Sequence, residues 1–171
     1  AVNFTPEDDQ SQFDISLRAP QGTSLAAMDV LANRLGAAVR RIPEVDFTLT
    51  TVAGDAAGTL NTATILVRLH PIEDRNRDQF AVMSEVRTAI LPDYVKAGIR
   101  TAVSLGGGPG GGGGGGIQYM IQGPDLDRLE KFSEALRVKA HSIPGLVDID
   151  TTLNAGKPEM SVLLDRPKAA Y

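Results

Sequence analysis

The chain has no cysteine, which excludes disulfides, thiolate chemistry and sulfur-ligated zinc together and leaves the redox compartment open. It has no basic surplus either. Its 17 Lys and Arg stand against 21 Asp and Glu, a formal charge of −4. The basic residues are scattered, so no stripe exists to neutralise a phosphate backbone, and no nucleic-acid partner is expected. Also missing is any apolar run near the roughly 20 residues a bilayer span needs, and no basic-then-apolar signal segment opens the chain. The first residue is Ala1, so a piece of something larger is expected. What is present is a globular composition. With 42% apolar and 22% charged residues in 171, the chain can build one ordinary domain or two small ones.

Hydrophobic periodicity predicts the elements. "FDISLRA" alternates with Phe13, Ile15 and Leu17 on one face and Asp14, Ser16 and Arg18 on the other, the pattern of a half-buried strand. From Leu25, the positions Met28, Leu31, Leu35, Val39 and Ile42 recur at helical spacing, with Thr23 or Ser24 as cap and an end near Pro43. "VDFTLTTV" and "TATILVRL" read as two more strands, with Val45, Phe47 and Leu49 sharing one face and Ala63, Ile65, Val67 and Leu69 another. Phe80, Met83, Val86 and Ile90 mark a second helix that Pro92 is expected to close, and "IRTAVSL" a fourth strand. The order βαββαβ is the split-βαβ arrangement of ferredoxin-like domains, an α+β fold.

Beyond the glycine-rich run, the pattern starts again. A strand through Ile117, Tyr119 and Ile121 is followed by a helical stripe of Leu126, Leu129, Phe132, Leu136, Ala140 and Ile143, then by strands "VDIDTTL" and "EMSVLLD". "GTSL" to "IPEVDFTLTTVAG" runs parallel to "GPDL" to "IPGLVDIDTTLNAG" at one constant offset, an internal repeat. The expected organisation is a first unit over 1–105, a glycine-rich linker over 106–116 and an incomplete second unit, βαββ, over 117–171. The glycine run reads as a joint. A phosphate loop needs few glycines at fixed spacing, a helix after them and a nearby Lys, and here a strand pattern follows instead.

Chemistry-bearing clusters are scarce. His70 and His141 have no second imidazole or carboxylate at metal-site spacing, "PEDDQ" lacks the alternation of a calcium loop, and Asp148 and Asp150 have no nucleophile nearby. No catalytic residue, metal site or cofactor is expected. The connection "AGDAAGTLN", Ala53 to Asn61, is longer than a hairpin needs and made of small residues, so it is either a ligand-contacting loop or an exposed turn.

Several segments together resemble the second large periplasmic loop of bacterial resistance-nodulation-division efflux transporters of the hydrophobe/amphiphile exporter type. They are "FTPEDDQSQFDISLRAPQGTSL", "IPEV", "LNTATILVRLHPIEDR", "IQGPDLDRL", "IPGLVDID" and "DRPKAA", in order along the whole chain. The resemblance implies a porter-domain fragment at the periplasmic face of the inner membrane. It implies a homotrimeric, proton-driven parent that cycles through three states and works with a periplasmic adaptor and an outer-membrane channel. It also implies amphipathic small-molecule substrates that enter through the cleft between the two units. A switch loop would map onto Gly54, Asp55, Ala56, Ala57, Gly58, Thr59, Leu60 and Asn61. Such loops tend to be phenylalanine-rich and this one is not, which argues against broad binding of flat aromatic drugs. Ser16 and Arg18 are candidate cleft residues, Arg18 favouring anionic or polar substrates or standing as an ordinary exposed strand residue. Because the second unit stops short of a helix and a strand, the fragment is expected to self-associate. The contrasting reading is a free-standing ferredoxin-like binding or assembly module with no transport activity.

Overall fold

The structure, a computed structural model, describes residues 8–54, 58–105, 119–149 and 151. Four strands, β1 (Gln12–Arg18), β2 (Val45–Val52), β3 (Thr62–Leu69) and β4 (Arg100–Leu105), form one antiparallel sheet in the order β2-β3-β1-β4. Helix α1 (Leu25–Val39) connects β1 to β2, and a second helical stretch connects β3 to β4. Strand order and element order are those of the split-βαβ arrangement read from the sequence.

One face of the sheet is buried. Phe13, Ile15 and Leu17 of β1, Ala63, Ile65, Val67 and Leu69 of β3 and Val103 of β4 pack with Met28, Ala32, Leu35 and Val39 of α1 and with Val82, Met83, Val86 and Leu91 of the second helical stretch. Helix α1 starts where Ser24 Oγ accepts the Ala27 N–H, 3.2 Å. It ends at Val39, earlier than Pro43. Arg41 N–H and Ile42 N–H donate to the carbonyls three residues back, and this tighter turn leads into β2.

Two local expectations are overturned. Phe47 and Leu49 do not share the buried face of Val45; they are 47% and 56% exposed. A register shift between Val45 and Phe47 passes Asp46 out of the ladder, so Thr48, Thr50 and Val52 now oppose Val67, Ile65 and Ala63 on the inner side. Pro92 does not close the second helix. The stretch runs as α2 (Gln79–Glu85), a π-helical turn (Val86–Ile90) and α3 (Leu91–Lys96). In the π turn Leu91 N–H donates to Val86 O, five residues back. This wider turn sets Pro92 into the first turn of α3, where its missing N–H removes no helical bond.

The N-terminal edge of the sheet is tied down by polar groups. Asp9 accepts from the guanidinium of Arg75 and from Gln79 N–H, and Gln79, fully buried, accepts through Oε1 from Gln10 N–H and Gln12 N–H. The Arg75 side chain is 1% exposed.

In the second unit, α4 (Leu126–His141) begins at Asp125, whose carboxylate accepts from Asp127 N–H and Arg128 N–H. Its apolar stripe is not covered as the sequence predicts. Leu126 is 72% and Phe132 64% exposed, because no described residue supplies a sheet beneath it; residues 119–123 are irregular. Most of the two strands expected after α4, and the 106–116 glycine run, lie outside the described residues.

Candidate functional site

At the C-terminal end of β1 the two units face one another across a cleft of about 460 Å³. The first unit contributes Arg18, Ala19, Pro20, Gln21, Asn61, Gly98 and Arg100; the second contributes Glu130, Ser133, Glu134, Arg137 and Thr151. Sheet register explains the first set. Arg18 and Arg100 are direct partners across the β1–β4 pair, on the face opposite Leu17 and Val103. Two guanidiniums side by side repel each other, a placement that is unfavourable unless opposing charge lies near.

Helix periodicity supplies that charge. Glu130, Ser133, Glu134 and Arg137 recur at three- and four-residue intervals, so α4 turns one polar face to the cleft. Arg137 grips Glu134 with two bonds, Nε to Oε2 at 2.9 Å and Nη2 to Oε1 at 2.6 Å. That bond, with the nearby positive charge of Arg100 and His141, holds the Glu134 carboxyl below the usual carboxylate range. The mouth therefore carries three arginines and two glutamates. One bond joins its walls, Arg18 Nη1 donating to Thr151 O at 3.2 Å, and within the second wall the hydroxyls of Ser133 and Thr151 lie 2.9 Å apart.

The residues singled out by sequence fall into separate places. Arg18 and Asn61 both line the cleft. Asn61 is buried, however, and its side chain is committed: Nδ2 donates to Ala19 O at 2.7 Å, while Ala19 N–H donates to Asn61 O at 2.9 Å. It fixes the base of the 53–61 loop to the end of β1. Ser16 does not reach the cleft; it stands on the open face of the sheet with Oγ 3.4 Å from Ala102 O. Within the loop, Leu60 is exposed and the Thr59 carbonyl accepts from Thr62 N–H and Oγ1. Gly54 is confined: a Cβ there would stand 2.5 Å from Thr51 Cγ2. Gly58 takes φ +61. Asp55, Ala56 and Ala57 lie outside the described residues.

Sequence reading missed Arg100, Glu130, Glu134 and Arg137. The signal was available in α4, whose charged positions repeat at i, i+4 and i+7, but the apolar stripe drew the reading instead. Asp148, weighed as half of an acid/base pair on a strand, sits in no strand and pairs with Arg87. Among the described residues no three His, Cys, Asp or Glu side chains converge as a metal site, and no helix is long and apolar enough to cross a membrane.

Comparison with known proteins places this geometry in a family. The chain is 25% identical over 169 residues to the multidrug resistance protein MdtC of Erwinia amylovora, an alignment covering 98% of this chain and 16% of that protein. The chain thus spans about one sixth of the length of that relative. A crystal structure of a heavy metal efflux pump superposes with a TM-score of 0.73 at 22% identity, over 98% of this chain and 18% of the pump, and shows that the fold is shared. The model of the AcrB/AcrD/AcrF family matches residues 1–171. The chain belongs to that family of resistance-nodulation-division efflux transporters.

Proposed function

We propose that this chain is a porter-domain piece of a proton-driven efflux transporter, and that the cleft between its two units is an entrance for substrate. The observation that carries the reading is the meeting of two features at one place. The charged cleft and the base of the 53–61 loop share Asn61, which is bonded to the lining residue Ala19, so a molecule lodged in the cleft touches the root of the loop. The loop then acts as the switch that passes substrate inward. In the parent, the piece works at the periplasmic face of the inner membrane within a homotrimer, beside a periplasmic adaptor and an outer-membrane channel.

The lining favours charged or strongly polar organic groups. Three guanidiniums supply planar donors suited to carboxylate, sulfate or phosphate groups, and they disfavour bare metal cations. The relatives include a protein named for multidrug resistance and a structure named for heavy metals; this donor set supports organic amphiphiles. The described loop residues offer one large apolar side chain, Leu60, and no aromatic ring, which supports a preference for amphiphiles that do not need ring stacking.

The test is export by a full-length transporter carrying this stretch, with Arg18→Ala and Arg137→Ala introduced singly and together. Loss of a charge-assisted contact lowers efflux of acidic amphiphiles by about fivefold or more while uncharged ones are little affected. Equal loss for both classes, or none, contradicts the reading.

A further inference from the structure

Arg87 is a charged side chain that the cleft does not use, and its setting is unusual. It stands on the π turn Val86–Ile90 and reaches two elements at once: Nε donates to Asp148 Oδ2 at 2.7 Å and Nη2 donates to Val103 O at 2.7 Å. Val103 belongs to β4, an edge strand of the sheet. Asp148 belongs to the second unit and holds φ at 56°, in the left-handed region, which costs a residue other than glycine about 1 kcal/mol or more unless its surroundings hold it there. Both side chains are largely shielded, at 25% and 18% exposure.

We propose that Arg87 is a clasp that sets how far the second unit stands from the sheet, and hence the width of the cleft. The inference rests on reading that cleft as a substrate entrance. Three residues beyond Asp148, Thr151 accepts from Arg18 and is bonded to Ser133 of α4. Asp148 is therefore held by Arg87 and Thr151 by Arg18, and through Ser133 the second contact ties α4, one cleft wall, to the sheet. Because the π turn and Asp148 lie outside the cleft lining, the clasp can be altered without changing a group that meets substrate. A π turn suits the role, since the inserted residue re-aims the side chains around it, and such turns recur at functional positions. Loss of the pair lets the left-handed Asp148 relax and removes one of the two ties between α4 and the sheet.

The experiment is a distance measurement by electron spin resonance on the 171-residue chain, which has no native cysteine, with the labelled chain diluted into an excess of unlabelled chain so that only distances within one chain are read. Nitroxide labels go on Val30→Cys of α1 and Lys139→Cys of α4, both exposed and both outside the cleft. The native chain gives one narrow distance. Arg87→Gln and Asp148→Asn each raise the fraction of a longer-distance population about fivefold, the scale of a partly shielded ion pair, and the exchanged pair Arg87→Asp with Asp148→Arg narrows the distribution again. Unchanged distances in Asp148→Asn overturn the proposal, as does an exchanged pair that stays broad while amide protection in β1 and β3 is native. If Arg87→Gln loses that protection, Asp148→Asn decides alone, because Asp148 is not part of the buried core. No substrate is needed, so failure of the clasp is read separately from failure of the entrance, which the Arg18 and Arg137 variants report.

Discussion

Asp9 shows how a single carboxylate can organise a chain end. Its burial alone would raise its pKa, but the hydrogen bond from Arg75 and those from the backbone N–H groups of Gln79 and Ser11 outweigh that and hold it below the usual value. The folded-state pKa is depressed, so the stabilisation is fully present above the unfolded value near 4 and is lost as pH falls through the folded one. Asp9→Asn keeps the shape, removes the charge and strands the buried Arg75, and is expected to cost about 3 kcal/mol at neutral pH. Urea unfolding at pH 7 and pH 3 checks this: the variant is weaker at pH 7, and the gap to the native chain narrows at pH 3. The sequence showed Asp9 only within "PEDDQ", a stretch without the alternation of a calcium loop. Its partner lies 66 residues away, and a contact at that separation leaves no local pattern. Arg18 was legible because strand alternation alone fixes the side it points to. Asn61 was legible as a position, though its role in holding Ala19 depends on the approach of two loops.

At the scale of elements, the seam between α1 and β2 turns on Gly36. A Cβ there would lie 3.4 Å from Thr48 Oγ1 and Thr50 Oγ1, ordinary contact distances. Gly36→Ala therefore gains helix propensity without a clash and is expected to stabilise by up to about 1 kcal/mol. Gly36→Leu overfills the seam, displaces the Arg40 to Thr48 bond and is expected to lose about 2 kcal/mol. Thermal melting of the two variants gives opposite shifts if the seam is as described. The Thr48 and Thr50 contacts exist because of the irregularity near Asp46, and that feature was hidden in the sequence. Perfect alternation through Val45, Phe47 and Leu49 is what a strand without a bulge would show, and one extra residue exchanges the faces. Pro92 misled in a similar way: a proline predicts an end in a regular helix, but a π turn just before it moves the proline to a starting position. The strands, α1 and their order needed only periodicity and punctuation, so they were readable.

For the whole molecule, a charged cleft lies where α4 meets the C-terminal end of β1 and the start of β4. That cleft was the least legible feature, since its walls come from β1, β4 and α4 and only folding brings them together. The exposed stripe on α4, with Leu126 and Phe132 prominent, supports self-association of the isolated chain. Light scattering should show mass rising with concentration, and Phe132→Glu should suppress the rise. The central claim is that substrate passes through the cleft, and it is tested most directly by closing the cleft reversibly. In a full-length transporter carrying Gln21→Cys and Glu130→Cys on opposite walls, a short disulfide-containing cross-linker joins the two thiols, and efflux of a fluorescent acidic amphiphile is followed before and after reduction. Export that stops when the bridge forms and returns when it is cleaved is the predicted result; export that continues undiminished with the bridge complete would contradict it.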